Sequence, residues 1–283
     1  STSSAASDVY KRQALCCGGF HWGEAREGVL CSRSWSPHVG ERVGEAGNPG
    51  PRGGRHCKEL KIVTFNANTW SSFARHVYTQ EESNLIFLGQ EHRQRGDQWT
   101  ATRRYARTRG WNVLGADAAS TSVSATSSSL CTSAGTCVTL PTSIGVHFAY
   151  GEQTWDWSPD GSPGRVTAAW VDILGGMYVV SVYLFQKEGW SARNIDIMQG
   201  VMGRLLSLQS PWVIGGDFNM EPEVMAKAHW WGAAGACIAA PSTPLGTFRA
   251  DGMPSGKAYD YFILHPDLKS LASNVCVRED VPG

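Results

Sequence analysis

Short apolar segments rich in β-branched and aromatic residues alternate with helical and turn-forming segments from Leu60 onward. Runs of this length and composition, bounded by turn-forming residues, are typical of buried β-strands. The strand-like segments are LKIVTF, NLIFLG, TCVTLPT, VTAAWVDIL, MYVVSVYLF, PWVIGG, YDYFILH and NVCVRE. Because strands outnumber helices and the order is mixed, the sequence predicts an α/β or α+β fold with more than one sheet.

Four segments between these strands have helical character. The clearest, residues 191–209, places its apolar residues on one helical face: Ile195, Met198, Val201, Met202, Leu205 and Leu206. Residues 71–83 and 96–110 are also predicted helices, the second closed by Gly110, and residues 223–235 predict a short helix. Residues 116–136 are rich in Ser, Thr and Ala and are predicted to be a loop.

Residues 1–57 differ from the remainder of the chain. They are rich in Gly, Ser and Arg, and neither a helical nor a strand period persists in them. The opening STSSAASDVYKRQ resembles translated adapter sequence, and GNPGP at residues 47–51 has the composition of a turn-rich linker. We therefore predict an unstructured or artefactual segment and linker over residues 1–57, and a folded domain over residues 58–283.

Composition excludes some functional classes. The 283 residues carry no formal net charge, which argues against a dedicated nucleic-acid coat protein but not against an enzyme with a local basic patch. The eight cysteines contain no CxxC pair, so a zinc site is not expected and the thiols are interpreted as reduced and intracellular. No segment is long and apolar enough to span a membrane. We expect an intracellular monomer, with the nucleus as one location.

Polar side chains stand where the predicted strands end. They are Asn66 and Asn68, Glu91, Tyr183, and Asp217 with Asn219, while Asp260 begins the last clear strand. The carboxyl ends of buried strands meet at one rim of a sheet, where sites in α/β folds form. If the chain stays extended, Asp217 and Asn219 point the same way, as do Asn66 and Asn68. A carboxylate suits a hard cation such as Mg²⁺, and an amide can bind a phosphate oxygen or a water molecule.

The motifs around these residues carry a family resemblance. In order, TFNANTW, LGQEH, SVYLF, GGDFNMEP and YDYFIL resemble the motifs of the endonuclease/exonuclease/phosphatase family, also called DNase I-like. Its members include apurinic-site endonucleases, DNase I, inositol phosphatases and the endonuclease domains of non-LTR retrotransposons. The resemblance covers residues 58–283 as a domain incomplete at its C-terminus. It implies a four-layer sandwich of two mixed β-sheets flanked by helices, with the last strand missing.

The resemblance also implies a metal and phosphate site. Glu91 is the expected Mg²⁺ ligand, with Mn²⁺ as an alternative ion, and Asn68 is expected near the metal. Asn66 would assist in binding the metal or the phosphate. Tyr183 would bond the scissile phosphate or the leaving oxygen. The metal would stabilise the charge that develops on the phosphate during an in-line displacement.

The remaining implied roles concern the attacking water. Asp217 would position and deprotonate that water, and Asn219 would orient it or bind the phosphate. Asp260 would hold the tautomer of a catalytic histidine, as the carboxylate of a Ser-His-Asp triad does. Without the resemblance, Asp217 and Asn219 are also common turn formers, and Tyr183 has the alternative of a core aromatic residue.

The chain departs from the family at its end. The family closes with an SDH motif, whereas this chain stops at VREDVPG, and none of its eight histidines lies in that context. Loss of a general acid or base typically lowers rates by about 10²–10⁴-fold. We therefore expect the chain as written to be close to inactive, even if a longer parent is active.

Three functions remain open from the sequence. GDFNMEP and EGWSARN resemble retroelement-type endonucleases more than inositol phosphatases, which predicts a nuclease with nucleic acid as its partner, DNA rather than RNA, and no membrane. The alternatives are a phosphatase or phosphodiesterase acting on a small phosphorylated molecule, and a catalytically decayed binding domain.

Two arginine features also have open interpretations. A dense basic cluster, which is either a phosphate-contacting surface or a solvated helix face, comprises Arg93, Arg95, Arg103, Arg104, Arg107 and Arg109. Arg165 precedes a strand and contacts either a substrate or an acidic neighbour.

Overall fold

Two six-stranded mixed β-sheets dominate the computed structural model, which describes residues 11–12, 14–20, 60–120, 132–149, 151–173, 175–242, 246–249 and 256–278. The strands are β1 (Lys11–Arg12), β2 (Ala14–Phe20), β3 (Lys61–Asn66), β4 (Leu85–Gln90), β5 (Trp111–Leu114), β6 (Ala119–Ser120), β7 (Thr132–Ser133), β8 (Cys137–Pro141), β9 (Val146–His147), β10 (Val166–Val171), β11 (Met177–Tyr183), β12 (Trp212–Asp217), β13 (Cys237–Ala239), β14 (Phe248–Arg249), β15 (Asp260–Leu264) and β16 (Ala272–Arg278). The helices are α1 (Trp70–Val77), α2 (Gly96–Thr108), α3 (Ala192–Leu208), α4 (Pro222–Ala226) and α5 (His229–Ala233), with a 3-10 turn at Pro266–Leu268.

Each sheet contains one parallel pair near its middle. The amino-terminal sheet has the order β16-β2-β3-β4-β8-β5, and β3 runs parallel to β4. The carboxy-terminal sheet has the order β13-β15-β12-β11-β10-β9, and β11 runs parallel to β12. All other pairings within the two sheets are antiparallel. Two short pairs, β1 with β14 and β6 with β7, lie outside them.

The amino-terminal sheet is buried on both faces, which explains why its strands are nearly continuous apolar runs. On β4, Ile86 and Leu88 belong to the core shared with the other sheet, while Phe87 packs against helix residues such as Phe73 and Trp99 on the opposite face. This alternation follows the two-residue period of a strand. Helices α1 and α2 therefore form one outer layer.

Helix α3 covers the outside of the carboxy-terminal sheet. Its buried residues include Ile197, Met198 and Val201, which belong to the same core cluster as Val180 of β11 and Trp212 of β12. The result is a four-layer α/β sandwich of helices, sheet, sheet and helices. The predicted fold class is confirmed in this respect. The predicted absence of a final strand concerns sequence beyond Gly283 and stays a prediction.

Two strands, β1 and β2, lie where the sequence predicted no structure. Residues Ala14–Phe20 form β2, which pairs antiparallel with β3 on one side and with β16 on the other. There the structure differs from the prediction of an unstructured segment over residues 1–57. The reason is that β2 pairs through backbone groups, which any sequence supplies. Apart from residues 11, 12 and 14–20, this predicted segment and the first two residues of the predicted domain lie outside the described part of the chain.

Two helices differ from their predicted extents. Helix α1 begins after Thr69, whose Oγ1 accepts a hydrogen bond from the Ser72 backbone N–H at 3.3 Å, and it ends at Val77 rather than Ser83. The Thr79 hydroxyl donates to the His76 carbonyl at 2.7 Å, so a side chain there replaces the next helical bond. The single helix predicted over residues 223–235 is two short helices, α4 and α5. In the described ranges no helix is long and apolar enough to cross a lipid bilayer.

Two adjacent glycines allow the close packing of β12. A Cβ atom at Gly215 would lie 2.6 Å from Cδ1 of Leu88 on the facing sheet, and one at Gly216 would lie 2.0 Å from the Val182 carbonyl oxygen. The first glycine therefore lets the sheets approach each other, and the second lets β12 lie against β11.

We predict that Gly216→Ala lowers the free energy of unfolding by at least about 1–3 kcal/mol, because the added methyl group meets backbone that cannot move aside. Gly200→Ala is the matched control, since Gly200 is exposed within α3 and a Cβ there has no neighbour within 4 Å. That change should raise the free energy of unfolding by about 0.5–1 kcal/mol. Urea unfolding of both variants measures the difference, and equal stability of the two would contradict the packing.

Candidate functional site

Strands β3 and β12 end in the same type of turn. The Asn66 Oδ1 atom accepts a hydrogen bond from the Asn68 backbone N–H at 3.0 Å, and Asp217 Oδ1 accepts one from the Asn219 backbone N–H at 3.1 Å. Asn68 and Asn219 have left-handed backbones, with φ of 59° and 51°. The expectation that each pair points the same way therefore does not apply. Its condition, an extended chain, fails because an Asn or Asp side chain bonds its own backbone two residues on.

A direct hydrogen bond joins these two turns across the sheets. The Asn66 side-chain Nδ2 donates to Asp217 Oδ2 at 3.0 Å. The Asn66 and Asp217 residues are only 2% and 1% exposed, so the carboxylate depends on such bonds to offset its lost hydration. Both Asp217 oxygens thus accept a hydrogen bond, one from its own turn and one from the facing sheet.

A second bond between the sheets involves Glu91, which directly follows β4. The Tyr183 hydroxyl, at the end of β11, donates to Glu91 Oε1. The Arg93 guanidinium lies 3.3 Å from Glu91 Oε2. Burial of Tyr183, together with the nearby Glu91 carboxylate, raises the pKa of the phenol above its ordinary value. Tyr183 therefore remains protonated and acts as a donor at neutral pH.

The backbone at Glu91 is also left-handed, with φ of 59°. This conformation costs about 1–2 kcal/mol for a residue with a Cβ atom, so the surrounding structure must hold it. Three backbone hydrogen bonds do so: Trp70 N–H to the His92 carbonyl at 3.1 Å, His92 N–H to the Gly135 carbonyl at 3.1 Å, and Arg93 N–H to the Ala134 carbonyl at 3.2 Å. The turn at Glu91 is thus held by two other parts of the chain, the start of α1 and residues 134–135.

The His92 ring anchors the same turn. It stacks on Trp99 with ring centroids 4.1 Å apart, and its Nδ1 accepts a hydrogen bond from the Gln94 backbone N–H at 3.1 Å. Gly135 lies so close to the ring that a Cβ atom there would be 2.7 Å away. The ring is therefore committed to packing, and burial lowers the pKa of His92 to about 4.

Sheet register places the remaining predicted residues beside Asp217. Tyr183 pairs with Asp217 across β11 and β12, and Asp217 pairs with Asp260 across β12 and β15. Asp260 is 2% exposed, and its backbone N–H donates to the Thr247 hydroxyl at 2.9 Å. The Asn219 side-chain Nδ2 donates to the Leu184 carbonyl at 2.9 Å, which leaves its Oδ1 for another partner.

The structure thus brings six of the seven predicted side chains to one end of the two sheets: Asn66, Glu91, Tyr183, Asp217, Asn219 and Asp260. Asn68 joins them through its backbone N–H and is partly buried.

The donor atoms fit a hard cation that takes few protein ligands. Within the described ranges no group of three or more His, Cys, Asp or Glu residues could hold a metal ion. Mg²⁺ needs fewer protein ligands than such a group supplies, because it keeps several waters and is usually bound through one or two carboxylates and substrate phosphates. Glu91 supplies such a carboxylate at the edge of the site, being 9% exposed. A bound cation would compete with the Arg93 guanidinium for Oε2.

Two buried residues that support the site were not predicted. The Gln90 side-chain Nε2 donates to the Ser181 hydroxyl at 2.9 Å and to the Thr64 hydroxyl at 3.2 Å. The Ser181 hydroxyl in turn donates to the Gly89 carbonyl at 3.0 Å. These bonds tie the two parallel pairs together just below Glu91. The available signals were a polar residue at the end of the apolar run LIFLGQ and another within YVVSVYL.

Most of the basic cluster on α2 faces solvent. Arg103, Arg104 and Arg107 are exposed, and the Arg109 Nε atom donates to the Tyr105 hydroxyl at 3.2 Å. Only Arg93 of this cluster contacts a predicted site residue. The side chains on α2 therefore have the character of a solvated helix face.

No family model matches the chain, and no curated protein sequence is similar to it. Among solved structures, it is similar to the 3'-5' exonuclease NExo of Neisseria meningitidis, with 15% identity and a TM-score of 0.47 over 73% of this chain and 87% of that one. It is also similar to the endonuclease domain of TRAS1, a telomere-specific non-LTR retrotransposon, with 13% identity and a TM-score of 0.47 over 78% and 92% of the two chains. A third is the AP endonuclease LMAP of Leishmania major, with 11% identity and a TM-score of 0.48 over 72% and 78%.

We predict that His92 makes the folded state sensitive to acid. Its pKa is about 4 in the folded state and about 6.5 in the unfolded state, so the unfolded state binds more protons between these values. Stability is therefore full above pH 6.5 and falls as the pH drops towards 4, by about 2 kcal/mol at pH 5.

Urea unfolding without metal at pH 8, 6.5 and 5 tests this. His92→Phe should be less stable than the wild type at pH 8 but lose less stability on acidification. Phe87→Leu, a destabilised core variant that keeps His92, should retain the full loss. Identical pH dependence in His92→Phe and Phe87→Leu would rule out the effect.

Proposed function

We propose that this chain is a Mg²⁺-dependent phosphodiester hydrolase, a nuclease of the endonuclease/exonuclease/phosphatase type that acts on DNA. One observation carries the proposal. Two hydrogen bonds between the sheets, Asn66 to Asp217 and Tyr183 to Glu91, join two buried carboxylates to an amide and a phenol at one end of the sandwich. A purely structural core has no need of this arrangement, because burying carboxylates between sheets is unfavourable unless each is compensated.

Glu91 is the proposed metal ligand, with Asn68 as a second oxygen donor from the neighbouring strand end. A divalent cation bound there would stabilise negative charge on a phosphate. The Tyr183 phenol, kept protonated by its surroundings, has one O–H, which bonds Glu91 in this structure. When a substrate binds, this O–H would turn to a phosphate oxygen or to the leaving oxygen. Asn66 supplies an amide close to the same position.

Asp217 is the proposed base for the attacking water. Its Oδ2 accepts a hydrogen bond from Asn66 and its Oδ1 accepts one from the Asn219 N–H, which fixes the orientation of the carboxylate, and an ionised carboxylate is an acceptor suited to a water proton. The Asn219 Oδ1 can hold the same water, because its Nδ2 is committed to Leu184. Asp260, opposite Asp217, is proposed to orient an imidazole that acts as general acid or base. The His92 ring is held by stacking on Trp99 and by a hydrogen bond from the Gln94 N–H, so it is not that imidazole.

The biological setting is also a proposal. GDFNMEP, which contains Asp217 and Asn219, and EGWSARN, which leads into α3, resemble retroelement-type endonucleases. We accordingly propose a retroelement-like role, with the protein acting as a monomer and the nucleus as its place of action.

We predict that Glu91→Gln weakens metal binding at least tenfold, about 1.4 kcal/mol, because the substitution removes the negative charge that holds the ion. Mn²⁺ binding followed by electron paramagnetic resonance measures this without requiring turnover. Glu81→Gln is the matched control, since Glu81 is exposed and lies in the loop after α1. Equal Mn²⁺ affinity in the wild type and Glu91→Gln would contradict the metal site.

We predict that Asp217→Asn lowers Mg²⁺-dependent nicking of supercoiled plasmid about 10²–10⁴-fold, while Mn²⁺ affinity stays within about twofold of the wild type. The physical reason is that an amide cannot accept the water's proton. Because the new amide would face the Asn66 Nδ2 donor, the melting temperature of the variant must be compared with that of the wild type. Equal nicking rates in the wild type and Asp217→Asn would contradict the proposed role of Asp217.

A further inference from the structure

Arg165 is a buried cation that the proposed chemistry does not use. It is 9% exposed, and its guanidinium carbon lies 4.5 Å from the ring centroid of Tyr183 and 4.0 Å from that of Phe185. Among the described residues its side chain makes one hydrogen bond, from Nη1 to the Tyr183 carbonyl at 3.5 Å. A guanidinium carries five N–H donors. The neighbouring aromatic rings therefore hold the charge in place while most of its donors remain available.

A second guanidinium stacks on the same ring. The Arg193 guanidinium carbon lies 3.9 Å from the Phe185 centroid. The Arg193 side chain is 58% exposed, and its Nη2 donates to Glu188 Oε1. Arg193 also lies in the first turn of α3, where the positive end of the helix dipole disfavours a cation. Two like charges on one ring at such a helix end create a local excess of positive charge, only partly balanced by Glu188.

The segment that carries Phe185 is firmly held. The Asn194 side chain accepts a hydrogen bond from the Phe185 backbone N–H at 2.8 Å and donates to the Gly189 carbonyl at 2.7 Å. Asn194 is fully buried, and Ser191 caps α3 by accepting from the Asn194 N–H at 3.3 Å. The two arginines are therefore presented on a rigid support, which lowers the entropy lost when a ligand binds.

These contacts lead from the site to the surface. Glu91 bonds Tyr183, the Tyr183 ring contacts Arg165, Arg165 contacts Phe185, and Phe185 contacts Arg193. Exposure rises along this series, from the buried Tyr183 and Arg165 to Arg193. Positive charge thus continues outward from the position proposed for the scissile phosphate.

We propose that Arg165 and Arg193 form a subsite for the phosphate next to the scissile one, so that the ligand is a phosphodiester chain rather than a molecule with a single phosphate. The subsite rests on the proposed function only for the position of the scissile phosphate. Guanidinium groups suit it because they bind phosphate oxygens with paired donors. Phe185 holds both groups by cation–π contact, and an added phosphate relieves their mutual repulsion.

The test is DNA binding in the absence of metal, where no hydrolysis occurs. Fluorescence anisotropy with a labelled duplex of about 20 base pairs, over a series of salt concentrations, gives the affinity and its salt dependence. Arg193→Gln should weaken binding about fivefold and reduce the slope of log K against log salt by about 0.9, the value for one lost phosphate contact. Arg193→Lys, which keeps the charge, should restore most of the slope.

Arg204→Gln is the matched control. Arg204 lies on the same helix, is 41% exposed, pairs with Glu152 and stacks on Trp157, but it is three turns away from Arg193. Its replacement should leave the affinity and the slope unchanged. Equal losses in Arg193→Gln and Arg204→Gln, or no loss in either, would overturn the subsite.

Competition by short ligands tests the number of phosphates. The trinucleotide TpTpT, with two phosphodiesters, should displace the duplex from wild-type protein more effectively than TpT, which has one, and the difference should shrink in Arg193→Gln. Equal competition by both in the wild type would overturn the proposal. If the Arg193 effects appear but Glu91→Gln binds Mn²⁺ as tightly as the wild type, the proposed metal site fails and the subsite stands.

Discussion

The hydrogen bond from Asn66 to Asp217 is the interaction on which the candidate site depends. It joins the central parallel pair of one sheet to that of the other, at the point where β3 and β12 end. Because both residues are almost fully buried, neither side chain can exchange its partner for water without opening the sandwich. The apolar core sets the distance between the sheets, and Gly215 allows their close approach. This bond and the bond from Tyr183 to Glu91 then set how the two rims face each other.

Local backbone conformation also helps to position the residues of the candidate site. Asn68, Glu91 and Asn219 all have left-handed backbones at strand ends within the site. For the two asparagines the turn is inexpensive, because Asn tolerates this conformation. For Glu91 the left-handed conformation is costly. Backbone hydrogen bonds between the next two residues and Trp70, Ala134 and Gly135 hold it in place. Such concentration of sparsely populated conformations is typical of functional sites, where the surrounding fold offsets the cost.

The charges around the site are balanced by stacking rather than by ion pairs alone. Arg93 lies against Glu91 and would yield to a metal ion, whereas Arg165 is held by the faces of Tyr183 and Phe185. Tyr183 therefore has two tasks, donating its hydroxyl to Glu91 and offering its ring to Arg165. The site thus combines negative charge suited to a cation with positive charge suited to phosphate, although the whole chain has no net charge.

Most of the buried strands, the polar residues at their ends and the type of fold follow from the sequence, because apolar runs and turn formers are local signals. The sequence also identified the six side chains that meet at one rim. The turns from Asn66 to Asn68 and from Asp217 to Asn219 emerged only in the folded structure, since a side-chain bond to the backbone competes there with extension. The pairing of β2, the Gln90 and Ser181 bridge, and the stacking of Arg165 and Arg193 on Phe185 were likewise beyond the sequence. They join residues far apart in the chain, and no local pattern specifies which distant residues will meet.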